Sequence, residues 1–357
     1  MYQNFDYIDI LITISKMIVL ALGLILAAAY MTFFERKVVA RIQVRIGPNR
    51  AGKGGWIQPI ADAVKLMLKE DIIPRDVDRF VYILAPILTV GIAMTTVAII
   101  PFGNTLIING RRILFGVSDV NVGVLVFLAL SSLAVYGIVL AGWSSRSKYS
   151  LLGAMRSAAQ MISYEISMSI AVATIVIWAG SLNLSEIMKA QMNIRPAEFL
   201  HWSLMPIPHV IALAIFAVTI MAETNRAPFD LPECENELVG GYFTEYSGLR
   251  FAMFYLGEYI NLILGSTFLV VLFLGGWMFP FGYSNTGILA SPLWGTIIGL
   301  AWFALKVALI LLVFMWVRAT FPRLRYDQLM AFGWKFLLPI AIANMFLMAF
   351  VKILVSG

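Results

Sequence analysis

Residues 10–34 read ILITISKMIVLALGLILAAAYMTFF, with Lys16 as the single charge in the run. A helix crossing the roughly 30 Å of bilayer hydrocarbon needs about 20 consecutive apolar residues, and this stretch exceeds that length. It is too long for the apolar core of a signal peptide and follows Asp6 and Asp9 in place of a basic leader, so it reads as a retained membrane helix. Working outward, seven more stretches qualify: about 80–101, 117–142, 155–180, 208–223, 251–279, 293–317 and 335–355. The 208–223 run is short, and its length depends on where His209 lies. None alternates with the period of two that a membrane barrel demands, so helices are the remaining way to satisfy the backbone in lipid. The fold class expected is all-α: a polytopic membrane protein with eight transmembrane helices, forming a single integral membrane domain over 1–357.

Composition agrees. Of 357 residues 61% are hydrophobic and 13% charged, against about 25% charged in soluble domains. The mean hydropathy of +0.87 leaves too little polar surface to cover a soluble protein of this size. The net charge of +6 resides in loops between apolar runs, where it sets orientation and does not call for a nucleic-acid partner. The connection between the first two runs holds Arg36, Lys37, Arg41, Arg45, Arg50, Lys53, Lys65, Lys69, Arg75 and Arg79, whereas the opposite side shows Arg111, Arg112, Lys189 and Arg195. By the positive-inside rule the first set is cytoplasmic and both termini face the periplasm, as an even helix count requires. Cys234 is the only cysteine, which excludes an internal disulfide and a cluster ligated by this chain's cysteines alone. His201 and His209 have no metal-ligand spacing, and no metal site is expected. No internal repeat is visible, which disfavours a stand-alone carrier.

The connection from Glu35 to Glu70, ERKVVARIQVRIGPNRAGKGGWIQPIADAVKLMLKE, carries the most chemistry. Over about 57–69 the residues Ile57, Ile60, Val64, Met67 and Leu68 recur at helical spacing, with Asp62, Lys65 and Lys69 on another face. That is an amphipathic helix too short to span, lying on the cytoplasmic interface. Before it, Gly47, Gly52, Gly54 and Gly55 bracket Pro48 among basic residues, a shaped cationic turn suited to a polar-headed, lipid-tailed substrate; an ordinary headgroup-binding helix is the plainer alternative.

Ionisable groups also fall inside the apolar runs. Glu165 lies nine residues past Arg156, about 13 Å along the helix at 1.5 Å per residue. Glu258 and Lys306 are similarly deep, and Glu223 ends the fifth run. Buried charges mark either structural ion pairs, such as Lys306 with Glu165 or Glu258, or a polar path for protons. After the fifth run, Glu223, Asp230, Glu233, Glu235, Glu237 and Glu245 crowd around Arg226, with Pro228 and Pro232 interrupting any helix. Carboxylates this dense titrate as a coupled set. Tyr164 beside Glu165 and Tyr259 beside Glu258 read as packing residues, and Arg323 and Arg325 suit either headgroups or a docking partner.

The first loop, together with RSAAQMISYE (156–165), AETNRAPFDLPECENELVGGYFTEYSG (222–248) and RATFPRLRYDQLM (318–330), resembles the quinone-site membrane subunit of respiratory complex I. The resemblance extends over essentially the whole chain. It implies membership of a multisubunit NADH:quinone oxidoreductase, a proton-translocating enzyme of the bacterial plasma (inner) membrane or the mitochondrial inner membrane. Quinone, ubiquinone among the candidates, would be the substrate, and this chain would bind no cofactor. NADH, FMN and the iron–sulfur clusters would belong to partners: soluble-arm subunits, including the one with the terminal cluster, and other membrane-arm subunits. On that model Glu35, Arg36, Arg45, Asp62, Lys65, Arg226, Phe229 and Asp230 shape the quinone channel and cavity. Glu165, Glu223, Glu233, Glu235, Glu237, Glu245, Glu258 and Lys306 relay the proton or charge change, with no catalytic residue assigned to this chain alone. The alternatives are the equivalent component of a related hydrogenase-type complex and a stand-alone cation transporter.

The single cysteine makes the orientation testable. In a Cys234→Ser background, Arg50→Cys should react with an impermeant maleimide in inverted vesicles and not in intact cells; labelling from outside would reverse the topology.

Overall fold

In hydrocarbon an unpaired backbone amide costs several kcal/mol, so a chain this apolar must satisfy its N–H and C=O groups within each spanning segment. The computed structural model describes residues 7–103, 106–108, 111–113, 115–192, 206–230, 240–278 and 292–356, most of them helical. The helices are α1 Tyr7–Ile42, α2 Gln58–Leu68, α3 Arg79–Thr96, α4 Gly123–Ser144, α5 Lys148–Ala179, α6 Leu184–Met192, α7 Pro206–Glu223, α8 Gly248–Phe273 and α9 Pro292–Thr320. A last rod begins as α10, Tyr326–Ala331, passes through a π-helical turn, Phe332–Leu337, and continues as α11, Leu338–Ser356. Pro339 lies two residues past that turn. Because proline has no N–H to give, the wider turn falls where α-helical pairing would break in any case.

Among the described residues seven helices are long and apolar enough to cross a membrane: α1, α3, α4, α5, α8, α9 and the α10–α11 rod. Beside them α7 is a shorter apolar helix. His209 falls inside α7 and its Nε2 donates to the Phe273 carbonyl at 2.9 Å. The ring thus satisfies an end carbonyl of α8, where no helical N–H follows.

Three features differ from those read in the sequence. The first helix continues beyond residue 34 to Ile42 and carries Glu35, Arg36, Lys37 and Arg41 with it. Hydropathy marks where lipid ends, but Glu, Arg, Lys, Val and Ala do not stop a helix, and no breaker occurs before Gly47-Pro48. For the same reason α5 starts at Lys148 and not near 155. In the connection before α4, Leu106–Ile108 pairs antiparallel with Arg111–Ile113, a two-stranded hairpin in an otherwise helical protein. Its sequence signal is the turn dipeptide Asn109-Gly110 following Ile107-Ile108.

Helix α8 is central: every side chain from Leu264 to Phe273 is buried. Around it, α3 packs on α4 and α8, α5 on α4, α7 and α11, and α1 and α9 flank α8. The outward faces of α1, α9 and α11 expose Leu11, Ile14, Leu22, Leu309, Leu312 and Phe350, as expected of a bundle solvated by lipid. Small residues allow the closest approaches. A Cβ on Gly153 of α5 would stand 2.7 Å from the Cα of Gly241, the turn that precedes α8. Gly153→Val should therefore lower the thermal stability of the purified protein by about 1–3 kcal/mol, the usual penalty of overpacking. Gly23→Val, at a position with nothing within 4 Å, should be close to neutral in the same melt, and equal effects would refute the account.

Candidate functional site

The end of α1 and the loop after it build a cavity. Gly52, Gly54 and Gly55 all have left-handed φ, and a Cβ on Gly55 would sit 2.2 Å from the Pro48 carbonyl oxygen, so only glycine permits this fold of the loop. Val44 also takes a positive φ of 56°, turning the chain away from α1. Trp56 closes against Tyr30, Phe33 and Phe34 at ring separations of 6.0, 5.6 and 5.8 Å. The loop is thus pinned back on the helix that precedes it. α2 is tied to the same helix by Arg36 and Asp62 at 2.9 Å, with Gln58 (3.0 Å) and Lys65 (3.6 Å) also on Asp62. Against the end of α1 and residues 45–48 lies a cavity of about 460 Å³, lined among others by Glu35, Arg36, Arg45, Pro48, Tyr259 of α8 and Arg318 of α9.

Glu35 forms the inner end. It is buried, and three groups from three other parts of the chain converge on it. Tyr259 of α8 donates to Oε2 at 2.6 Å, Arg226 from the turn after α7 stands 3.6 Å from Oε2, and Arg318 of α9 pairs with Oε1. Arg226 also lies 4.0 Å from the Tyr259 ring centroid. Burial opposes the charge of Arg226, but Tyr259, Glu35 and Glu258 outweigh it and hold the guanidinium above its ordinary pKa, so it is a permanent cation. Its Nε and Nη2 have no hydrogen-bond partner among the described residues.

The acidic segment 231–239, with Glu233, Glu235 and Glu237, lies outside the described residues. Of its neighbours, Asp230 is buried and pairs with Arg323 at 3.1 Å, and Phe229 packs edge-on to Tyr164 with centroids 5.5 Å apart. Glu258 accepts from the Tyr242 hydroxyl at 2.8 Å. Glu245 is partly buried, with its backbone carbonyl bound by Tyr82 at 2.7 Å. Glu165 accepts from Ser132 at 3.1 Å, and its other oxygen is buried without a hydrogen-bond partner among the described residues. Glu223 is within electrostatic reach of Glu165 and lines a cavity of about 20 Å³ with Thr96, Ser131, Thr224 and Asn261. That space is large enough for one water molecule.

Lys306 stands apart from these acids. Its Nζ donates to the carbonyls of Leu274, Gly276 and Met278 at 2.7, 3.0 and 3.2 Å, so it caps the C-terminal end of α8, where a cation is favoured by the helix dipole. The ion pairing with Glu165 or Glu258 considered from the sequence is replaced by this cap. Arg323, read as a headgroup or docking residue, serves Asp230, and Arg325 pairs with Asp327 at 3.1 Å. Tyr164 packs as expected and donates to the Leu329 carbonyl at 2.9 Å. Tyr259, read as packing, is a direct ligand of Glu35.

Sequence reasoning therefore missed Tyr259 and Arg318 at the cavity's end. For Arg318 the available signal was position: Glu35 and Arg318 sit at the charged ends of two apolar runs and carry opposite charge. Gln160 was missed as well, although it lies within one of the motif blocks.

A family model described as NADH dehydrogenase matches residues 15–349. The chain is 50% identical over 324 residues to the H subunit of NADH-quinone oxidoreductase from Protochlamydia amoebophila (strain UWE25), covering 91% of this chain and 92% of that protein. It is 47% identical over 346 residues to the protein of the same name from Syntrophotalea carbinolica, covering 96% and 97%. The namesake from Wolbachia pipientis wMel is 49% identical over 333 residues, covering 92% and 93%. With identity near one half sustained along almost the full length, the chain belongs to the NADH dehydrogenase family, in the group formed by the H subunits of NADH-quinone oxidoreductase.

Proposed function

We infer that this chain is the membrane component of an NADH:quinone oxidoreductase that forms the passage by which quinone reaches a redox centre in an adjoining soluble partner, and that it couples quinone reduction to proton movement. The observation that carries this reading is the cavity of about 460 Å³ at the membrane surface, ending on Glu35 among Arg226, Arg318 and Tyr259. A quinone carbonyl oxygen accepts hydrogen bonds, for which the guanidinium groups and the phenol are matched donors; quinol hydroxyls donate, for which Glu35 is a matched acceptor. Val39, Ala40 and Ile46 supply apolar wall beside the polar groups, as an amphiphile requires. The ends of α1 and α9 carry this charged constriction, on the face read as cytoplasmic, with both termini periplasmic.

Reducing a quinone to quinol takes up two electrons and two protons. The electrons come from a partner, since the passage supplies only binding and charge. Removal of protons, or a change of charge, beside Glu35 is felt by Arg226 and through it by Glu258, which its field reaches. Glu165 and Glu223, within electrostatic reach of each other, extend the relay, with Glu245 and the acidic residues Glu233, Glu235 and Glu237 further along the chain.

Two outcomes test the reading in the assembled complex. Arg226→Met leaves a buried acid with one guanidinium fewer, and breaking a buried pair costs about 3–5 kcal/mol. Part of that loss falls on binding, so NADH-driven quinone reduction should drop by about two orders of magnitude in kcat/KM while NADH oxidation by a soluble artificial acceptor is retained; normal quinone kinetics would refute the passage. Glu165→Gln and Glu223→Gln should each lower the protons moved per quinone reduced in reconstituted vesicles, and unchanged activity with unchanged pumping would remove those residues from the relay.

A further inference from the structure

Gln160 is fully buried in α5 and belongs to neither group of residues above. Its Nε2 faces three acceptors: the Ala222 carbonyl at 2.8 Å, Asn225 Oδ1 at 3.2 Å and the Phe229 carbonyl at 2.9 Å. An amide nitrogen has two N–H groups, so one of them is shared. The first acceptor lies in the last turn of α7 and the other two on the turn that leaves it, with Arg226 between Asn225 and Phe229. Asn225 takes a positive φ of 49°, a left-handed conformation that asparagine tolerates better than most residues but that still needs its surroundings to hold it. The amide of Gln160 provides that support.

One turn further along α5, Tyr164 packs on the Phe229 ring at 5.5 Å. Residues four apart share a helix face, so α5 holds Phe229 twice, by its backbone oxygen and by its ring. Glu165 is the next residue of the same helix. The turn bearing Arg226 and the helix bearing Glu165 are therefore joined by a buried polar contact for which the described residues offer no substitute.

We propose that Gln160 is a positioning residue: its amide holds the 222–229 turn so that Arg226 meets Glu35 at the end of the quinone passage, and it ties that turn to the helix carrying Glu165. The proposal rests on the passage reading given above. Gln160 touches neither substrate nor Glu35 and acts through Arg226.

A double-mutant cycle in the assembled complex tests this, with a short-chain quinone as substrate and NADH oxidation by a soluble artificial acceptor as the measure of intact assembly. Gln160→Met keeps the side chain's bulk and removes its donors. It should raise the KM for quinone by about tenfold, the loss expected when a buried side chain gives up its hydrogen bonds to buried acceptors, with kcat changed much less. Arg226→Lys should also raise this KM, and the double variant should fall well short of the product of the two effects, because both act on one contact. A multiplicative double variant, or an unchanged KM for Gln160→Met, overturns the proposal. If Arg226→Lys itself leaves the quinone KM unaltered, the passage reading fails first and the inference falls with it. Where Gln160→Met does not assemble, Gln160→Asn, which draws the amide back by one methylene, should show a smaller rise of the same kind and the same non-additivity, and its absence is equally decisive.

Discussion

A carboxylate inside a helical bundle needs cations and donors around it, because the desolvation it suffers exceeds what any single contact returns. Glu35 meets that condition through Arg226, Arg318 and Tyr259, which come from three separate parts of the chain. Holding these four groups together fixes where α1, α8, α9 and the turn after α7 stand relative to one another. The cavity beside them is lined by Arg36, Arg45 and Arg318 together with Glu35.

The same matching of charge to partner organises the rest of the membrane interior. Asp230 is held by Arg323, Glu258 by Tyr242, and Glu165 by Ser132 on one oxygen only. Lys306 is committed to the carbonyls ending α8, just as Lys352 donates to the Ile177 carbonyl near the end of α5. Lysines on long flexible stems suit this capping task, whereas planar guanidinium groups suit carboxylates. These two lysines therefore complete helices, and the arginines around Glu35 and Asp230 pair with acids.

Glycines and aromatic rings set the geometry in which those charges meet. The left-handed Gly52, Gly54 and Gly55 bring the loop back onto α1, and Trp56 fastens it there. On the other side Phe229 is caught between Tyr164 and Phe332 of the π-helical turn, with centroids 5.5 and 6.5 Å away. The turn after α7 and the last helix are thereby packed together against α5, close to Glu165.

Much of this was legible in the residues alone. Apolar runs of about 20 residues dictate spanning helices because lipid offers the backbone no other partner. The amphipathic pattern after Ile57 likewise specifies α2, found at Gln58–Leu68, and the motif blocks carry Glu35, Arg226 and Glu165. Hydropathy could not show that α1 and α5 run on into their charged ends, since a helix is ended by backbone chemistry and not by polarity. Nor could it tell which cation serves which acid. Lys306 and Arg318 both lie on α9 as cations of one helix, and only the packing of α9 against α8 and against α1 gives the first to backbone carbonyls and the second to Glu35. Local sequence decides which segments lie in lipid and which side chains they carry; pairing across 200 or more residues, as between Tyr259 and Glu35, depends on how the helices dock, and that is a property of the assembled bundle.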